Sequence, residues 1–173
     1  DIIDDVYEKV LTQKRNIVLV GMPSCGKTTI ANEIARITGR VVVDTDREVE
    51  KRAGVSISQI FEREGEGAFR ALESEVVSDV SSLSCAIIST GGGVPLNDDN
   101  IKKLSRNGII LFLDRDVDKL VATSDRPLAQ NVQAIKKLYE KRYPIYVKCA
   151  DARIDSNGSV QETINSIRKL TKI

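Results

Sequence analysis

Gly21-Met22-Pro23-Ser24-Cys25-Gly26-Lys27-Thr28 is the stretch on which the fold turns. It follows a continuous apolar run, Ile17-Val18-Leu19-Val20, that reads as a strand buried on both faces. After it, Ile30, Ile34 and Ile37 recur at helical spacing and Gly39 supplies a stop. Strand, glycine-rich turn, helix is the context that gives the pattern G-x-x-x-x-G-K-[ST] its meaning. Backbone amides of such a loop converge on phosphate oxygens, and the helix N-terminus adds partial positive charge. Lys27 would bridge the outer phosphates, and the Thr28 hydroxyl would take a magnesium ion. The plainer alternative is a tight turn with an incidental Lys-Thr, and the flanking elements weigh against it. A dinucleotide-binding turn with Asp44 on the ribose needs a second glycine where Pro23 stands.

Outward from this loop, short apolar runs at Val41–Val43, Cys85–Ile88, Ile109–Leu113 and Ala152–Ile154 read as further strands. Helical patterns separate them. Val6, Val10 and Leu11 mark an amphipathic helix over residues 1–14. Helix resumes at Thr45, with Phe69, Leu72, Val76, Val80 and Leu83 in one apolar stripe. Ile101 and Leu104 mark a short helix closed by Gly108, and residues 117–122 and 134–143 are helical in pattern. Residues 124–131, with Pro127, read as a loop. Ser159-Val-Gln-Glu162 is a capping box opening a last helix with Ile164, Ile167 and Leu170 inward. Alternating strands and helices predict an α/β fold, a parallel sheet between two helical layers. Ligands of such sheets bind beyond the carboxyl ends of the strands. Three strand ends carry unusual residues and would share one edge: Gly21 onward, Asp44-Thr45-Asp46, and Gly91-Gly92-Gly93.

The 173 residues suit one domain, and 26 basic against 25 acidic side chains leave net +1. That balance argues against a nucleic-acid partner. No apolar run is long enough for a transmembrane helix, so no membrane partner is expected. Histidine is absent, which excludes Ser-His-Asp and Cys-His catalysis and any histidine metal ligand. Cys25, Cys85 and Cys149 are far apart and odd in number, which fits a reducing, cytoplasmic setting. The sequence opens at Asp1 and its one methionine is Met22. A trimmed chain and a module of a larger fused enzyme are both compatible with that opening. Residues 1–15 are expected to form an N-terminal extension or linker helix, and 16–173 a single domain.

Other residue sets carry chemistry too. Of Asp44 and Asp46, one carboxylate would assist magnesium and the other would accept bonds from a substrate hydroxyl; a helix N-cap pair is the bland alternative. Arg70 lies three residues before Glu73. That is a surface ion pair, or a guanidinium fork for a carboxylate held in place by Glu73. Phe61 and Phe69 flank Arg70 in sequence. Gly91-Gly92-Gly93 would let backbone approach a ligand closely, or merely form a flexible turn. Arg126, in Asp125-Arg-Pro-Leu128, would fold over phosphates as a cis arginine finger, or sit solvated in its loop. In Arg142-Tyr-Pro-Ile-Tyr146, Pro144 is expected to perturb the helix, so that Arg142 projects from a helix end.

The ordered set G-M-P-S-C-G-K-T, D-T-D, G-E-G-A-F-R-A-L-E, T-G-G-G, R-P-L and R-Y-P-I-Y resembles the shikimate kinases, from about Asn16 to Leu170. The resemblance implies a P-loop kinase fold with a five-stranded parallel sheet in a three-layer α/β/α arrangement, a lid and a substrate-binding helical region. It implies γ-phosphoryl transfer from ATP, with Mg2+, to the 3-hydroxyl of shikimate, in the route to chorismate and aromatic amino acids. By the same resemblance Ser24, Cys25, Gly26, Lys27, Thr28 and Thr29 would hold ATP phosphates, with Thr28 and Asp44 at the metal. Asp46 would bind the shikimate hydroxyls and serve as base. Arg70 and Arg142 would grip its carboxylate, Gly91, Gly92 and Gly93 would contact the ring hydroxyls, and Phe61 and Phe69 would wall the pocket. Lys27, Asp46 and Arg126 would be catalytic, with Arg126 as the lid arginine reaching ATP. Two features depart from the family: Ser24 stands where a glycine is usual, and the lid reads R-P-L-A, with a short segment up to Arg142. Lys119 is a candidate adenine contact. A monomer is expected. Rival readings are a gluconate or nucleoside monophosphate kinase of the same fold, and a non-catalytic nucleotide-binding module. No N-K-x-D motif supports a GTPase.

Overall fold

In the computed structural model, which describes residues 2–120 and 132–173, five parallel strands form one sheet. The strands are β1 (Asn16–Val20), β2 (Val41–Asp44), β3 (Ala86–Ser89), β4 (Gly108–Asp114) and β5 (Ala152–Asp155). Their spatial order is β2-β3-β1-β4-β5, so β1 is central and every one of its residues is buried. Asn16 fixes the register at its start. Its amide donates to Leu83 O at 2.7 Å, and its side-chain oxygen accepts from Ala86 N at 2.9 Å.

The helices are α1 (Ile2–Lys14), α2 (Lys27–Thr38), α3 (Thr45–Ala53), α4 (Ile57–Val80), α5 (Asp98–Arg106), α6 (Val132–Cys149) and α7 (Val160–Thr171). Helix α2 packs on the sheet and on α7, while α4 packs on α3 and α5, and α5 and α6 reach β4. The three-layer arrangement is therefore as expected. Gly39 ends α2 with φ 70°, and Ser159 and Glu162 complete the capping box of α7.

Several sequence expectations are corrected. Ile37, Leu83 and Leu170 are exposed, not inward. Gly108 opens β4 instead of closing a helix, because α5 already ends at Arg106. Cys85 lies outside β3 in a left-handed turn at φ 58°. Of the pattern expected over 117–122, the described part, up to Leu120, holds a short 3-10 turn over Val117–Lys119, and residues 121 and 122 lie outside the described residues. Helix α4 changes direction at Gly65, φ 84° and ψ 174°, which only glycine adopts readily. Most consequentially, α6 runs straight through Pro144 to Cys149. Pro144 removes the amide that would bond Glu140, but both residues are exposed, so that carbonyl can bond water. Arg142 is thus mid-helix and 3% exposed rather than at a helix end.

Candidate active site

All three unusual strand ends meet at the carboxyl edge of the sheet. Thr90 N donates to Leu19 O, and Gly91 N donates to Thr45 Oγ1 at 2.8 Å, which ties the ends of β1, β2 and β3 together. Thr45, the unremarked middle of Asp-Thr-Asp, is therefore the residue that docks the glycine loop.

The loop from Gly21 passes over the end of β4: a side chain at Gly21 would press on Leu113 O. Ser24 adopts φ 63° and Gly26 φ 95°, so the serine occupies backbone space that glycine fills more cheaply. Gly26 caps α2 without any side-chain bond, leaving first-turn amides open toward an anion. Cys25 is buried beneath the loop and Thr29 is exposed. Lys27 is 5% exposed, and its ammonium donates to Gly21 O at 3.0 Å and Met22 O at 2.8 Å. Among the described residues that buried cation meets no carboxylate.

The two aspartates separate as the strand end turns into α3. Asp44 accepts the Thr28 hydroxyl at 2.8 Å through Oδ2, and its Oδ1 accepts from Asp46 N and Arg47 N. Asp44 is therefore the N-cap of α3 through one oxygen and the partner of the Thr28 hydroxyl through the other. Asp46 lies on the other side, against Gly91, where any Cβ would overlap its carboxylate.

Behind Asp46 lies a charged cluster. Arg70 donates to Glu73 at 2.8 Å and more loosely to Glu66 at 3.2 Å. Its guanidinium sits 4.9 Å above the Phe69 ring, which pairs with Phe61 at 5.0 Å. Glu73 is 2% exposed, and among the described residues its Oε2 has no hydrogen-bond partner. Burial pushes its carboxyl above the ordinary range, the Arg70 charge and bond pull it back, Asp46 pushes further and Arg142 opposes. Gly93 lies directly against Arg70, since a Cβ there would displace the Arg70 guanidinium from its present place. A Cβ at Gly92 would stand 3.1 Å from Arg142 Nη1 and 3.0 Å from Pro23 Cδ. The structure thus brings Asp46, Arg70, Gly91, Gly92, Gly93 and Arg142 into one cluster beside the phosphate loop. Phe61 and Phe69 lie at its margin. Arg126 and the loop expected to act as a lid lie outside the described residues. Lys119 donates to Asn157 O at 3.2 Å, joining the segment after β4 to the loop after β5. Sequence reasoning assigned Tyr146 no role, although its hydroxyl donates to Gly92 O at 2.7 Å. Its presence in Arg-Tyr-Pro-Ile-Tyr, one helical turn after Arg142, was the available signal.

The residues present fit a magnesium–nucleotide complex. Among the described residues no cluster of three acidic or thiol groups could cage a metal alone. A hydroxyl, one carboxylate and substrate phosphates are the donor set magnesium ordinarily takes. A helix start without a side-chain cap and a buried ammonium that, among the described residues, meets two carbonyls and the Cys25 sulfur but no carboxylate suit the phosphates.

The shikimate kinase family model matches residues 23–172. A shikimate kinase of Caldanaerobacter subterraneus is 40% identical over 164 residues, 88% of this chain and 94% of its own. One from Clostridium botulinum is 37% identical over 161 residues, 91% of this chain and 97% of its own. The structure of shikimate kinase from Acinetobacter baumannii in complex with shikimate superposes with a TM-score of 0.86 at 30% identity, covering 95% of this chain and 97% of that one. With a matching family model, close relatives over nearly their full length and the same fold, this chain belongs to the shikimate kinase family, enzymes that phosphorylate shikimate with ATP and Mg2+.

Proposed function

We propose that the carboxyl edge of this sheet divides the family's reaction between two neighbouring halves, a nucleotide half and a shikimate half. In the nucleotide half, the amides from Ser24 to Thr29 and the N-terminus of α2 hold the ATP phosphates. Lys27 exchanges its two carbonyl contacts for phosphate oxygens, so its charge meets the negative charge that develops during transfer. Thr28 and Asp44 would hold magnesium, which when bound would neutralise phosphate charge. Lys119 is the candidate for the adenine side, and Arg126 for the arginine that reaches ATP.

In the shikimate half, Arg70 and Arg142 grip the carboxylate, Asp46 takes the ring hydroxyls and Gly91–Gly93 let the ring approach backbone. Asp46 orients the 3-hydroxyl and accepts its proton as the new oxygen–phosphorus bond forms and the bond from the γ-phosphorus to the β,γ-bridging oxygen breaks, with ADP as the leaving group. In a loose transition state orientation matters at least as much as basicity. Residues 16–173 act as the kinase unit and 1–15 as an appended helix, in a cytoplasmic setting. Among the described residues no helix is long and apolar enough to cross a membrane.

The observation that carries this reading is that Asp44 and Asp46 have different partners, one bonded to Thr28 and the other packed on Gly91. Separate titrations of ATP and shikimate against Arg70→Ala and Arg142→Ala test it. Each variant is expected to lose shikimate affinity by about tenfold or more, the worth of a charge-assisted bond, with ATP affinity kept. Equal losses for both ligands would contradict the division.

A further inference from the structure

Tyr146 is 1% exposed, its ring tilted on Phe112 at 5.2 Å, and its hydroxyl donates to the carbonyl of Gly92. Burial pushes that hydroxyl well above its ordinary range, with the Arg142 charge pulling the other way. The hydroxyl therefore stays protonated and is a donor to the Gly92 carbonyl.

The glycine loop has no side chains to hold it, so its carbonyls must be fixed from outside. Gly91 O is taken by Val94 N at 3.1 Å and Gly93 O by Leu96 N at 3.0 Å, both local turn bonds. Gly92 O is taken by Tyr146 from another element. A trans peptide is planar, so fixing the Gly92 carbonyl also fixes the direction of the Gly93 N–H in the same peptide unit. That amide belongs to the glycine pressed against the Arg70 guanidinium.

We propose that Tyr146 is a positioning residue for shikimate: its hydroxyl sets the plane of the Gly92–Gly93 peptide, and with it the aim of the Gly93 amide beside Arg70. The inference rests on the shikimate half proposed above. It makes the affinity for the acid substrate depend on a phenol that need not touch it.

Steady-state kinetics and calorimetric titration of Tyr146→Phe test this, with Arg70→Ala and Phe112→Leu in parallel. Tyr146→Phe keeps the ring and its packing. It is expected to raise KM and Kd for shikimate about five- to tenfold, the worth of one buried hydrogen bond, with KM for ATP unchanged. Phe112→Leu removes the ring beneath Tyr146 but not the hydroxyl; it is expected to lower Tm without selective loss of shikimate affinity. An unchanged shikimate KM in Tyr146→Phe, or an equal rise in both KM values, overturns the proposal. So does a Phe112→Leu variant showing the same selective loss, because packing would then explain it. If Arg70→Ala itself leaves shikimate binding intact, the substrate-site reading has failed, and the proposal with it.

Discussion

Asp44 and Asp46 differ by one residue of α3 and by everything that faces them. Asp44 spends one oxygen on the α3 cap and the other on Thr28, whereas Asp46 stands by Gly91 and within electrostatic reach of Glu73. Asp46→Asn keeps the size and one acceptor oxygen but removes the charge. It is expected to lower kcat about 100-fold or more with ATP affinity little changed. Asp44→Asn is expected instead to shift the magnesium dependence of the rate. The reverse pattern in magnesium and shikimate titrations would exchange the two roles. Glu73 gives a prediction in pH. Its folded carboxyl titrates above the reference of 4.5, chiefly through burial, so folding disfavours its ionised form. Below that reference the group is protonated in both states and costs nothing. As pH rises from there toward the folded value, the unfolded chain ionises first and stability is lost. Glu73→Gln removes the loss, so urea midpoints of variant and parent should diverge in the variant's favour as pH rises from 4 upward. Parallel curves would show that Glu73 titrates normally. Glu73 was legible as the holder of Arg70; its burial was not, because spacing alone cannot separate a surface pair from an inner one.

At the scale of elements, what the sequence made legible was whatever rested on local chemistry. The glycine-rich turn, the Gly39 stop and the α7 capping box all appear where their residues placed them. What escaped was whatever tertiary context decides. Pro144 reads as a helix breaker, yet α6 continues because the freed carbonyl of Glu140 lies on an exposed face. Leu83 continues the periodic stripe of α4 but falls beyond its last turn, and Leu170 fits the pattern of α7 yet faces solvent. Helix α1 was expected as an appendage, and the structure buries none of its residues, with Val6 54% exposed. Its tail is held by Arg40, which donates to Gln13 O and Arg15 O, and by Cys85 N on Lys14 O. Deleting residues 1–14 is expected to leave kcat and both KM values within about twofold. Tm should fall by no more than about 4 °C, since surface contacts of this kind contribute little. Loss of the cooperative melting transition by circular dichroism would instead make α1 part of the fold.

Over the whole molecule, the parallel sheet sorts the work. Its buried strands carry the core, and their carboxyl ends carry the phosphate loop, the paired aspartates and the glycine loop. Helix α4 brings Arg70 and Glu73 to that edge, and α6 brings Arg142 and Tyr146 from the far side of the chain. Motif order in the sequence was enough to expect this convergence, because parallel strands must end on one edge. It could not tell that Tyr146 joins α6 to the glycine loop, since that contact spans 54 residues. The account as a whole makes acceptor choice depend on guanidinium groups that meet a carboxylate beside a hydroxyl acceptor, with the nucleotide held independently. ADP release with Mg2+ and ATP, measured in turn with shikimate, gluconate and a nucleoside monophosphate, tests this most directly. The account predicts turnover with shikimate alone, abolished in Arg70→Ala Arg142→Ala at shikimate concentrations that saturate the parent. Comparable turnover with gluconate or the mononucleotide, or ADP release indifferent to the loss of both arginines, would contradict it.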